Sequence, residues 1–325
     1  MIIAQLDSII KSSKNILIVS HVNPDGDTLG SMCGLYSLIK DNYKKKCDML
    51  AVSLIPDNYK FIPHIKNVIN IENIDLSREY DLVINVDIAE INRCANAKIL
   101  FEKAKNTINI DHHETNNGYG EINIIEPKAS ATGEVLYNIA QNLDWKVSKD
   151  SAVCLYTAIL TDTGSFKFSN TTPQTMKIAS ELLTLGIDNA EIYKKCYESS
   201  SKNMILFQSY CVGKAKFLNN DKIAYTLVYK KDLEKFNNKG EDFTDGLTEK
   251  LRAIKTTEIA FVLKEAGSNI SKLSMRSKQI DISKICKALN GGGHKFAAGA
   301  VIKANINNAL KIVLEEIERQ CSKIL

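Results

Sequence analysis

Four of the five histidines, His21, His112, His113 and His294, lie in polar segments that also carry aspartate or glycine, and only His64 stands apart. Imidazole beside carboxylate is the donor chemistry of metal ligands and of proton transfer. His21 heads the segment His21-Val-Asn-Pro-Asp25-Gly-Asp27, in which Pro24 and Gly26 predict a turn rather than a helix. Alternation along that turn aims Asp25 and Asp27 at two neighbouring positions, as two adjacent cations require. Asp87 and Asp162 taken singly are ordinary turn or cap acids. Together with His21, Asp25, Asp27 and His112 they form an imidazole and carboxylate set without thiolate, which suits two divalent ions, manganese first and magnesium or cobalt after it. Without cations, so many gathered acids would repel and raise one another's pKa.

The elements that must gather these residues follow from hydrophobic patterning. Residues 15–20 (NILIVS), 81–86 (DLVINV) and 107–110 (TINI) are short β-branched runs, each followed at once by His21, Asp87 or Asp111. Such runs alternating with amphipathic stretches predict a parallel sheet covered by helices, with ligands bound outside the carboxyl ends of its strands. Helices are predicted over 130–142, over 151–160 running into Asp162, and from Pro173 to about Leu185. A polar, lysine-rich stretch then predicts a connection at 186–205, between a first domain at 1–185 and a second at 206–325. In the second domain, strands are expected at 222–229, 258–264 and 272–276, and helices at 282–289 and 306–317. The fold class is therefore α/β: a parallel-sheet domain followed by a smaller mixed-sheet α/β domain.

Composition bounds the function. At 325 residues with 44% hydrophobic and 25% charged side chains the chain is an ordinary globular protein, and a net charge of +4 is too mild for gripping long duplex DNA. A small anionic partner fits better. The eight scattered cysteines form no CxxC pair and predict neither a zinc knuckle nor a disulfide scaffold. No signal peptide or membrane-length apolar run is present, so a cytoplasmic protein with no membrane partner is expected.

In order, HVNPDGD, the strand-end Asp87, Ile110-Asp111-His112-His113 and TDTGSF resemble the four motifs of the DHH phosphoesterase superfamily. Ser274-Met275-Arg276-Ser277 followed by Gly291-Gly292-Gly293-His294 resembles the DHHA1 domain, and the order and length are most similar to the nanoRNase/pAp phosphatase (NrnA-type) branch. The resemblance implies a three-layer first domain with the active site in the cleft between the domains. It implies one metal held by His21, Asp25 and Asp87 and a second held by Asp27, Asp87, His112 and Asp162, Asp87 bridging. Asp111 then supports a neighbouring histidine, and His113 contacts the scissile phosphate. Arg93 has a matching position in relatives and is expected to steady phosphate or the acids. Arg276, Gly291, Gly292, Gly293 and His294 are expected to clamp the substrate's terminal nucleotide, although the glycine run alone also reads as a helix-ending turn.

The implied activity is hydrolysis of nanoRNA, di- to pentanucleotides, to nucleoside monophosphates and removal of the 3′-phosphate of pAp. The competing enzyme reading is a pApA, pGpG or cyclic di-AMP phosphodiesterase. A different class, a nucleotide sensor without catalysis, is disfavoured because every matched ligand position holds a residue able to bind metal. The expected partners are short single-stranded oligonucleotides and small nucleotides, and homodimerisation is left open.

Overall fold

The structure, a computed structural model, describes residues 2–236 and 242–321. The chain divides into two compact units, Met1–Ser199 and Ser200–Leu325. The stretch 186–205, expected to connect the domains, contains a helix whose Ile192 and Cys196 are buried in the core of the first unit.

The first unit runs α1 (Ile2–Ser12), β1 (Ile16–Val19), α2 (Gly26–Tyr43), β2 (Asp48–Ala51), β3 (Val68–Asn70), β4 (Leu82–Val86), α3 (Lys98–Lys103), β5 (Asn106–Asp111), β6 (Ile122–Ile125), α4 (Thr132–Asn142), α5 (Lys149–Asp162), α6 (Pro173–Leu183) and α7 (Asn189–Tyr197). Its six strands form a wholly parallel sheet in the order β3-β2-β1-β4-β5-β6. Both faces of β1 are covered: Ile16 and Ile18 pack with the helical layer of α2, α4 and α5, while Leu17 and Val19 pack with Leu100 and Phe101 of α3. That burial on two sides is why the strands read as unbroken apolar runs instead of alternating ones. After β3 the chain returns to pair β4 with β1, so the direction of travel across the sheet reverses between β1 and β4. A ligand crevice is expected at such a reversal, at the carboxyl ends of the strands. His21 and Asp87 follow those two ends.

The second unit runs α8 (Lys202–Gly213), β7 (Lys216–Leu218), β8 (Ile223–Val228), α9 (Lys230–Lys235), α10 (Leu247–Arg252), β9 (Ile259–Gly267), β10 (Ile270–Ser277), α11 (Ser283–Ala288), β11 (Gly292–His294), β12 (Ala297–Ile302) and α12 (Ile306–Cys321). The sheet order is β11-β12-β10-β9-β8-β7, antiparallel except for the β8/β9 pair. Leu273 and Met275 of β10 face α11 and α12, whereas Phe207 of α8 and Leu247 and Leu251 of α10 cover part of the other face. Among the described residues, no helix is long and apolar enough to cross a membrane.

One helix contact in the first unit bears directly on the acids. A Cβ at Gly26 would stand 2.5 Å from the Thr161 side chain, and one at Gly30 would stand 2.5 Å from the Cys154 carbonyl oxygen. Two glycines one turn apart on α2 thus let its backbone lie against α5 more closely than any side chain would permit. Asp25 and Asp27 at the start of α2 are thereby drawn toward Asp162 at the end of α5. Gly30→Val is expected to lower stability by about 1–3 kcal/mol through overpacking, read as a lower denaturation midpoint with unchanged slope. An unchanged midpoint would show that the two helices need no such approach.

Candidate two-cation active site

The segment 21–27 is a turn only as far as Asp25, because Gly26 and Asp27 already open α2 and Asp25 is its N-cap, accepting from the Thr28 N–H at 3.0 Å. The correction has a physical reason: a helix tolerates glycine in its first turn when an aspartate caps it and a second aspartate meets the positive end of its dipole. Asp27 is buried while Asp25 remains exposed.

Asp87 follows β4 with φ +60°, its N–H donating to the Ile110 carbonyl oxygen at 2.9 Å. Left-handed backbone is uncommon outside glycine, and aspartate is among the residues that tolerate it. The two oxygens of Asp87 face different partners. Oδ2 lies 3.4 Å from His21 Nε2, whereas Oδ1 lies 3.7 Å from His112 Nε2 and 3.6 Å from His113 Nδ1. His112 Nε2 is also 3.6 Å from Asp27 Oδ2 and 3.5 Å from Asp162 Oδ2, and His21 Nε2 is 4.0 Å from Asp25 Oδ2. His21, Asp25 and Asp87 form one group of donors within mutual reach; Asp27, His112 and Asp162 form a second; Asp87, His112 and His113 form a third. Neighbouring ligands of an octahedral ion with bonds near ~2.1 Å stand about 3 Å apart, so these donors need close in only slightly to hold an ion.

The imidazoles are oriented for that task. His21 Nδ1 lies 2.8 Å from its neighbour's carbonyl, Val22 O, and His112 Nδ1 lies 3.2 Å from Ala129 O. A carbonyl can only accept, so a hydrogen on each Nδ1 satisfies it and leaves the Nε2 lone pair for a cation held jointly with the acids. His113 is held differently, with Nδ1 donating to Asp111 Oδ1 at 2.7 Å. Asp111 therefore orients the ring of His113, while His112 receives only a backbone contact from it, its N–H donating to Oδ1 at 2.8 Å. Asn116 fixes the other oxygen of Asp111, donating from Nδ2 to Oδ2 at 2.6 Å. Arg93 lies beside the site, its guanidinium Nη2 3.2 Å from His21 Nδ1.

The electrostatics support cation binding. Burial, together with the charges of Asp87, Asp162 and Asp25, pushes Asp27 well above the usual carboxylate range. Burial likewise raises Asp162 to about 7, against the lowering effect of His112. Burial would also raise Asp87, but its hydrogen bond and charge interaction with His21 and the charges of His113 and His112 outweigh it and hold Asp87 low. Burial lowers His113, but the Asp111 hydrogen bond and the surrounding carboxylates overcome this and lift it to about 9. These acids and imidazoles thus compete for protons at neutral pH, a conflict that divalent cations remove by taking the lone pairs themselves. The residues fit two ions.

Several contributors escaped the sequence reading. Thr28 Oγ1 donates to Asp87 Oδ2 at 2.5 Å and lies 2.5 Å from His21 Nε2. The start of α4 supports the acids from another direction: the Thr132 and Gly133 N–H groups donate to Asp27 at 2.7 and 3.1 Å, and Thr132 Oγ1 donates to Asp87 Oδ1 at 3.1 Å. A signal was available. The N-cap of α4 is Ala131, which makes no side-chain cap, so the first N–H groups of a buried helix need an acceptor from elsewhere. Glu134, itself buried, steadies that helix start by accepting from the Ser130 N–H and hydroxyl and from the Thr175 hydroxyl.

In the second unit, Arg276 of β10 lies opposite Ala297 of β12, which lies opposite His294 of β11. Residues in register across strands share a face, so Arg276 and His294 rise from the same side with one small residue between them. Arg276 Nε donates to Glu249 Oε1 at 2.6 Å. The glycine run both ends a helix and starts a strand: the Gly291 N–H donates to Cys286 O of α11 at 2.7 Å, while Gly292 and Gly293 belong to β11. A Cβ at Gly291 would lie 2.1 Å from the Gly299 carbonyl oxygen.

Comparison with known proteins gives the same organisation. The model of the DHH family, N-terminal domain, matches residues 15–159, and that of the DHHA1 domain matches residues 221–322. The chain is 30% identical over 291 residues to a probable bifunctional oligoribonuclease and PAP phosphatase NrnA of Streptococcus mutans, covering 90% of each chain. It is 28% identical over 293 residues to the bifunctional oligoribonuclease and PAP phosphatase NrnA of Bacillus subtilis, covering 88% of this chain and 89% of that one. Among solved structures it is similar to an exopolyphosphatase-related protein from Bacteroides fragilis, with TM-score 0.91 and 26% identity over 98% of this chain and 96% of that chain. With both domain models matched in order and the relatives matched along nearly their whole lengths, the chain belongs to the DHH phosphoesterases that carry a DHHA1 domain, in the NrnA branch.

Proposed function

We propose that this phosphoesterase hydrolyses short oligonucleotides to nucleoside monophosphates and removes the 3′-phosphate of pAp, using two divalent cations, manganese first among them. The observation that carries the reading is Asp87, whose two oxygens face two different sets of imidazole and carboxylate donors beside His113. His21, Asp25 and Asp87 would hold one cation, and Asp27, Asp87, His112 and Asp162 the other. The absence of thiolate from both sets favours manganese, magnesium or cobalt. Two such ions, when bound, supply charge that offsets the growing negative charge on the phosphoryl oxygens and make water a stronger nucleophile at neutral pH. The names of the curated relatives support the substrate class.

The protein side of the reaction follows from the hydrogen bonds. With Nδ1 of His113 committed to Asp111, the ring addresses a substrate through Nε2. As water oxygen bonds to phosphorus and the ester bond breaks, that nitrogen gives a proton to the leaving oxygen, while the attacking water loses one to solvent, from which the ring is reprotonated. Asp111, anchored by Asn116, keeps the ring in position and does not itself meet the substrate. Arg93, beside His21, would add positive charge near the phosphate. Arg276, Gly291, Gly292, Gly293 and His294 would receive the terminal nucleotide, the arginine and histidine through its phosphate and the glycines by close backbone approach.

A substrate panel with added manganese tests the reading. Di- to pentanucleotides should yield nucleoside monophosphates, pAp should yield AMP and phosphate, and excess EDTA should abolish both. Hydrolysis of neither, turnover of only pApA or cyclic di-AMP, or rates indifferent to EDTA would overturn it. Replacing His113 by Ala should lower kcat by about 10²–10⁴-fold, the usual worth of a positioned acid. Asp111→Asn should cost about 10–100-fold through misorientation of that ring; equal rates in either variant and the unmodified protein would remove the assigned role.

A further inference from the structure

The sheet face that carries Arg276 and His294 continues beyond them. Going back along β10, Ser274 and Lys272 point to the same side as Arg276, because side chains alternate with a period of two. Ser274 lies opposite Val262 of β9 and Gly299 of β12, and Lys272 lies opposite Lys264 and Val301. Between this strip and the start of α10 lies a cavity of about 250 Å³, bordered by Lys264, Lys272, Ser274, Arg276, Asp242 and Thr244.

Three cations, Lys264, Lys272 and Arg276, and three carboxylates, Asp242, Asp245 and Glu249, border the cavity, and they are paired unevenly. Lys264 pairs with Asp242 at 3.0 Å and Arg276 with Glu249 at 2.6 Å. Lys272 is exposed and, among the described residues, holds no hydrogen bond or ion pair, so its ammonium is available to an anion. The surrounding sequence has the same bias. Residues 200–325 contain 22 Lys and Arg against 13 Asp and Glu, whereas residues 1–199 contain 20 against 25. The net positive charge of the chain therefore belongs to the second unit. Arg276 and Lys272 are four residues apart on one strand, about 13 Å, with nothing larger than Ser274 rising between them on β10. Long side chains rising from one face at that spacing can lean toward adjoining phosphates of a single strand, and a cavity of about 250 Å³ suits one nucleotide-sized group.

We propose that this cavity is a second nucleotide subsite, taking the nucleotide that adjoins the terminal one and meeting its phosphate with Lys272. The inference rests on the oligonucleotide reading above and adds a determinant of substrate length to it. Ser274, Thr244 and the neighbouring carboxylates offer partners to sugar hydroxyls. Among the described residues no aromatic ring borders the cavity, so contacts to backbone phosphate and sugar dominate and the subsite is tolerant of base identity. A substrate such as pAp, with a single nucleoside, leaves it empty; a trinucleotide fills it.

The test is the ratio of kcat/KM for a trinucleotide to that for pAp, measured for the unmodified protein, Lys272→Ala, Lys272→Glu and a control, Lys311→Glu, on α12 against the opposite face of the sheet. Loss of one ammonium–phosphate contact should lower the ratio about tenfold in Lys272→Ala, with a larger fall in Lys272→Glu and none in the control. A ratio unchanged in both Lys272 variants, or one that falls equally in the control, would overturn the subsite whatever happens to the absolute rates. If the unmodified protein cuts no trinucleotide, the oligonucleotide reading fails on its own account. Anisotropy of a labelled trinucleotide in EDTA then decides the subsite: binding weakened by Lys272→Glu and not by Lys311→Glu sustains it, and equal binding in all forms overturns it.

Discussion

The carboxylate of Asp87 is shared between two sets of donors, one oxygen toward His21 and the other toward His112 and His113. Several features of the first unit serve that sharing. The reversal of strand order between β1 and β4 brings His21 and Asp87 side by side, and the adjoining β5 delivers Asp111, His112 and His113. The close approach of α2 and α5 draws in Asp25, Asp27 and Asp162. The start of α4 turns its otherwise unsatisfied N–H groups onto Asp27. A buried cluster of carboxylates is costly unless each is hydrogen-bonded or neutralised, and the helix start, the threonine hydroxyls and the imidazoles each meet part of that requirement. Metal ions held by these donors would meet the rest.

The two units divide the chemistry by charge. The first gathers acids and imidazoles around what would be cations, and the second carries the excess of lysine and arginine. In the proposed reading, cations would serve the bond that breaks and positive side chains the part of the nucleotide that does not react. Binding energy realised away from the reacting bond can be used to select a substrate, so the proposed second subsite would place length selection on the basic sheet face of the second unit.

Much of this was legible in the sequence because its causes are local. Strand ends followed at once by His21, Asp87 and Asp111 announce a parallel sheet with a crevice at its carboxyl edge, and the donor set follows from residue type. The opening of α2 was harder to read. Pro24 and Gly26 signal a turn, and only the capping by Asp25 shows that the helix has already begun at Gly26. The partner of Asp111 was also ambiguous, since two histidines follow it and adjacency in sequence does not say which ring turns back. Thr28, Thr132 and Gly133 were missed because their contacts to Asp87 and Asp27 span 59, 45 and 106 residues of chain. No local pattern reports such pairings, although the uncapped start of α4 points to a distant acceptor. The register that aligns Lys272, Ser274 and Arg276 with β9 and β12 is likewise a property of the assembled sheet.

The central claim is that one carboxylate is shared by two cations. Titration of the metal-free protein with Mn²⁺, followed by calorimetry and by electron paramagnetic resonance, tests it most directly. The account predicts two equivalents per chain with a spectrum showing magnetic coupling between the ions, and loss of that coupling in Asp87→Asn. Saturation at one equivalent, or two uncoupled ions whose spectrum is indifferent to Asp87→Asn, would contradict it.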